Sequence, residues 1–203
     1  MFVATAAAAM NQPHYRVTGY AAAAQLAISE TAAGDAVFFD GWWDGNFTYH
    51  LRHLDATRSR SVIRGDRLLY DFVCIPDTDF QSHAVSEVQI LETLMKANPA
   101  IVVIENPQFF RQVEIAQRLR NLVAAEPRVF EPLRVIPVES SLTHLPTFQL
   151  EVYRFNRNAA RDEVAQLLFA LPDSVLDVMD SMEETKQFEA GNVIVMSSDL
   201  ERP

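Results

Sequence analysis

The order of apolar segments in this 203-residue chain predicts an α/β fold. The expected architecture is three-layer: a mixed, mostly parallel sheet between helices, an antiparallel C-terminal pair, and a short helical tail. Three observations carry it. The short apolar runs 36–39 and 101–104 suit strands buried on both faces. Segments with helical spacing of apolar residues separate and follow them. Two longer runs, 129–138 and 148–155, adjoin across one loop, as an antiparallel pair does.

Residues 19–28 are alanine-rich and read as a helix, ended by Ala33-Gly34. Asp35 leads into the strand 36–39. Asp44 or Asn46 is placed to cap a helix over 47–54, whose apolar stripe is Phe47, Leu51 and Leu54. Gly65-Asp66 between apolar runs predicts a hairpin. Its arms would be Val62-Ile63 and the run Leu68, Leu69, Tyr70 and Phe72. Residues 76–82 form a polar loop. A helix over 85–97 follows, with Val88, Leu91 and Met95 on one face. The strand 101–104 breaks at Glu105-Asn106-Pro107, and 109–124 is again helical. Beyond the last strands, 163–170 and 174–182 read as short amphipathic helices parted by Pro172. Residues 192–196 are a last strand or an unpaired tail.

The expected division is an α/β domain over 1–155 and an acidic helical appendage over 156–203. The appendage carries ten acids and four bases, the remainder seventeen and thirteen. The net charge of −10 argues against a nucleic-acid binder, which needs Lys and Arg to displace counterions. The lone cysteine, Cys74, permits no disulfide framework and reads as a small buried hydrophobe. Residues 1–10 lack a basic start and are too short and weakly apolar for a signal peptide or membrane span.

The first candidate site is the turn after 36–39, with Asp40, Trp42, Trp43, Asp44 and Asn46. Open α/β sheets place ligands at the carboxyl ends of their strands. Carboxylates there accept hydrogen bonds from hydroxyls, and indole faces suit sugar rings. A capped structural turn is the alternative. If 101–104 runs parallel to 36–39, Glu105 shares that rim with Asp40. Arg58, Arg60, Arg64 and Arg67 are either a phosphate site or partners of Asp44, Asp55 and Asp66. His50 and His53 lack a third metal ligand at a recognisable spacing, so a polar helix face is favoured. No metal or cofactor is expected. GxGxxG, GxxxxGK[ST], GxSxG and CxxC motifs are all absent, which weakens nucleotide, triad-hydrolase and thiol-redox readings.

Several segments together resemble the soluble C-terminal domain of polytopic lipid-linked glycosyltransferases, relatives of protein mannosyltransferases and aminoarabinose transferases. They are Gly19-Tyr20, the turn from Asp40 to Phe47, Arg52 and Asp55, the run from Val62 to Leu69, the strand from Ile101 to Glu105, and Val152 to Phe155. The resemblance covers about two thirds of the chain and does not extend beyond Phe155. Those enzymes keep their catalytic carboxylates in a multi-span membrane domain, so no catalytic residue carries over. The resemblance implies an accessory, non-catalytic domain on the extracytoplasmic face of a membrane, beside a membrane-embedded transferase. Its implied ligand is a glycan or lipid-linked sugar-phosphate, met by the turn residues with Arg52, Arg64 and Glu105. The alternatives are a free-standing small-molecule enzyme using Asp40, Asp44 and Glu105 as acid–base groups, and a protein-interaction module docking through its acidic tail.

Overall fold

The computed structural model describes residues 17–71, 81–107, 114–140 and 147–170. Cys74, the segments 174–182 and 192–196, the start of the 109–124 helix and most of the loop 76–82 lie outside them. The chain divides into two compact units, 1–161 and 162–203. The first holds the sheet.

The fold is α/β, as the sequence predicts. Its elements are α1 (Tyr20–Ser29), β1 (Ala36–Asp40), α2 (Asp44–Leu54), β2 (Ser61–Arg64) and a helical turn α3 (Gly65–Leu68). β3 (Tyr70–Asp71), β4 (Gln81–Ser82), α4 (Glu87–Ala97) and β5 (Pro99–Asn106) follow. α5 (Glu114–Ala125), β6 (Phe130–Val138), β7 (Phe148–Phe155) and α6 (Arg157–Ala170) complete the order. Among the described residues five strands form one sheet in the order β2-β1-β5-β7-β6. β1 lies parallel to both β2 and β5, while β7 is antiparallel to β5 and to β6.

Side chains alternate across a strand, so the two central strands feed both faces. Val37, Phe39, Ile101 and Val103 join one core cluster with Tyr20, Ala23, Ala24 and Ala27 of α1 and Phe47 and Leu51 of α2. Small alanines let α1 lie close on the sheet, and Phe39 stacks on Phe47 at 4.8 Å. Phe38, Val102 and Ile104 point the other way and are equally buried. α4 begins at Ser86, whose side chain accepts from Gln89 N at 3.2 Å, and ends at Asn98 in the left-handed region. Its buried face is Val88, Ile90, Leu91 and Leu94, with Met95 at its margin.

Three local expectations are corrected. The hairpin at Gly65-Asp66 does not form. β2 instead pairs in parallel with β1, the chain continues into α3, and β3 pairs antiparallel with β4. A two-residue hairpin turn needs a positive φ, which Gly65 lacks. Glycine is required there for space: a Cβ at Gly65 would overlap Asp40 Oδ1. Neither Asp44 nor Asn46 caps α2. Its N-cap is Trp43, and Asp44 is the first helical residue. Leu54 leaves the apolar stripe and is half exposed at the end of α2.

β6 is an edge strand, largely exposed between Glu131 and Val135, and contains Pro132 and Pro137. Among the described residues no helix is long and apolar enough to cross a membrane.

Candidate functional site

Parallel pairing of β1 with β5 brings Asp40 beside Ile104, so Asp40 and Glu105 do share the carboxyl rim. They do not converge. Asp40 lies level with Ile104, one residue out of phase with Glu105, and the two carboxylates therefore leave opposite faces of the sheet. Each meets its own buried partners.

Asp40 is 1% exposed. Its Oδ1 accepts from the Tyr70 hydroxyl at 2.8 Å, and its Oδ2 accepts from Arg120 Nη1 at 2.7 Å. Arg120 comes from α5 and also donates to the Glu105 carbonyl through Nε at 2.8 Å and through Nη2, and to the Ala116 carbonyl at 2.7 Å. One guanidinium thus ties the ends of both central strands to α5. Burial, then the charge of Asp40, pushes the Tyr70 phenol far above its ordinary range. It stays a donor at any physiological pH.

Glu105 is equally buried. Its Oε1 accepts from the Tyr20 hydroxyl at 2.5 Å and from Trp43 N at 3.0 Å, and its Oε2 accepts from Trp42 N at 2.6 Å. The carboxylate fixes the two residues that lead into α2, whose own first turn has no side-chain cap. Burial raises the Glu105 carboxyl above its ordinary value, partly offset by the hydrogen bonds from Tyr20, Trp43 and Trp42. Gly41 fits between them because a Cβ there would overlap the Glu105 carboxyl group.

The outer layer of the rim is different. Asp44 receives Arg64 Nε at 2.7 Å, and Asp66 receives Arg64 Nη2 at 2.6 Å. The Arg64 side chain remains 41% exposed. Trp42, Trp43, Asp44 and Asn46 are all partly exposed. Trp43 packs against the core cluster, and among the described residues no acceptor meets its buried Nε1. The turn therefore carries a carboxylate, an amide and two indoles beside an arginine, each residue partly exposed.

Two of the other arginines go elsewhere. Arg52 Nη1 donates to the Arg60 carbonyl at 2.7 Å. Arg60 spans to Thr31, donating to its Oγ1 and its carbonyl, both at 2.7 Å, and pairs with Asp55 at 3.6 Å. These two brace the loop after α2 against α1 and do not reach the turn. Asp55 accepts from Arg60 N at 2.8 Å, from Thr57 Oγ1 and from Ser59 Oγ. The Arg60 N–H, with those two hydroxyls, pulls its carboxyl down to about 2. His50 and His53 pack around the exposed Tyr49 ring at 5.3 and 6.3 Å. Among the described residues no three ligating side chains gather as a metal site would need.

Tyr20, Tyr70 and Arg120 were not among the expected site residues. Arg120 had a signal: it lies four residues after Ala116 and three before Val123, in phase with the apolar stripe of α5. A charge at such a position must find a partner. No family model matches the chain, and no curated protein matches it.

Proposed function

We propose that this chain is a non-catalytic α/β binding domain, akin to the soluble domains of membrane glycosyltransferases. It presents the turn from Gly41 to Asn46 to a glycan or sugar-phosphate. One observation carries the reading: Glu105 holds Trp42 N and Trp43 N from below, so the turn is fixed before any ligand arrives. Preorganisation of this kind lowers the ordering cost of binding. Asp44 and Asn46 supply acceptors for hydroxyls, an indole supplies a stacking face, and Arg64 supplies a fork for phosphate.

The acid–base alternative draws less support. Asp40 and Glu105 each have both oxygens engaged by buried donors, and they sit on opposite faces of the sheet. A general base must reach the proton it removes.

The test is favoured by composition, because Trp42 and Trp43 are the chain's two tryptophans. Intrinsic fluorescence therefore reports on the turn. Titration with mannose 1-phosphate or glucose 1-phosphate should give a saturable change that Asp44→Ala removes while the unfolding midpoint stays put. A flat titration in the unaltered chain refutes the reading.

A further inference from the structure

The opposite end of the sheet carries a second feature. Arg154 lies level with Ile101, which pairs with Val37, so this end is the amino end of the parallel strands. A surface pocket of about 380 Å³ opens there, between the turn after α5 and the start of α6. That volume suits a small ligand.

The lining is chemically one-sided. Arg128, Arg154 and Arg157 contribute to it, against one acid, Glu131. The whole chain has 27 acids and 17 bases, so three arginines around one pocket run against its composition. Arg154 is fixed between two acids, with Nη2 at 2.6 Å from Glu30 and Nη1 at 2.9 Å from Glu131. Arg154 answers both acids, and the lining itself keeps three bases to one acid.

The walls are held in place. Asn156 N donates to the Val129 carbonyl at 2.8 Å. Its Oδ1 accepts from Asn158 N at 3.1 Å and Ala159 N at 3.2 Å, which caps the first turn of α6 from within. The helix start is therefore a wall, and the guanidinium groups are the charge. Phe155 is buried and lies 5.7 Å from Phe130, giving the pocket a firm apolar side.

We propose that this pocket binds a phosphate monoester. Arg157 would face the phosphate, because its planar fork matches the phosphate oxygens. Phe155 would border the organic part. The site is distinct from the rim and stands whether or not the turn binds a sugar.

Glycerol 3-phosphate in solution and vesicles containing phosphatidic acid present the same group from two sources. With the full chain, the first arm follows backbone amide shifts of Phe155 and Asn156 by NMR. The second follows co-sedimentation. Saturation in either arm is expected, and the responding arm names the source. Affinity should fall several-fold between about 20 and 200 mM salt. Arg157→Glu should weaken binding at least ~10-fold, and Arg157→Lys less, since a lysine keeps the charge but loses the fork. Asp44→Ala should leave this binding intact, which separates it from the rim. No saturation in either arm, or saturation indifferent to Arg157→Glu, overturns the proposal.

Discussion

The carboxyl rim carries two Asp–Arg pairs that distance alone cannot tell apart. Arg120 Nη1 stands 2.7 Å from Asp40, and Arg64 Nε stands 2.7 Å from Asp44. Their surroundings differ. The first pair has side chains 4% and 1% exposed, the second 41% and 24%. Water can replace either partner in the outer pair. It cannot do so in the inner one, where a lone carboxylate would face Tyr70 and apolar side chains. Burial, and not contact distance, decides what each pair means to the fold.

The largest test of that contrast is Arg120→Met. It leaves Asp40 charged and buried, and should cost about 3–5 kcal/mol in denaturant unfolding. A cost near that of an exposed pair would mean that water reaches Asp40. Next comes Gly65→Ala, which drives a methyl into the Asp40 carboxylate. It should destabilise by about 1–3 kcal/mol. Gly45 is the control, because it lies within α2 with open space around it. Gly45→Ala should be stabilising by about 0.5–1 kcal/mol, since only backbone entropy changes. If both alanines behave alike, close packing against Asp40 is not the reason for Gly65. Arg64→Ala should cost under about 1 kcal/mol, and less still in high salt.

The smallest effect is in acid. Asp55 has its carboxyl lowered from 3.8 to about 2, so its contribution is complete above 3.8 and is lost as pH falls toward 2. Glu105 is raised above 4.5, so its contribution has the opposite sign and is lost as pH rises through its folded value. Asp55→Asn should therefore be destabilising at about pH 6 and nearly silent at about pH 2. Equal destabilisation at both would show that the hydrogen bonds, not the charge, matter.

The difference between the inner and outer pair also marks what a sequence can reveal. β1, β5, β6 and β7 were legible because each is a run of apolar or alternating residues, a local property. The shared rim of Asp40 and Glu105 followed from parallel strand ends. Their separation onto opposite faces did not, because it rests on a register in which Asp40 meets Ile104 rather than Glu105. One residue of slip reverses a face. Gly65-Asp66 misled for a related reason. Its glycine answers to a carboxylate 25 positions earlier, not to a turn. Arg120 is 80 residues from Asp40, and Tyr20 is 85 from Glu105. Only the folded chain brings these together, although Arg120 could have been suspected from its place on an apolar helix face.

Among the described residues β6 closes one side of the sheet and no strand pairs with its outer edge, where another chain could add itself. Two of its nine residues, Pro132 and Pro137, have no amide hydrogen to offer. A second molecule laying a strand along this edge would meet gaps in the ladder at both positions, so sheet-to-sheet growth would be interrupted where it starts. Replacing both prolines would restore those donors and turn a blunt margin into a template. The same two residues that look like flaws within a strand thus act as a guard against fibrous association in a chain whose opposite margin, β2, is only four residues long.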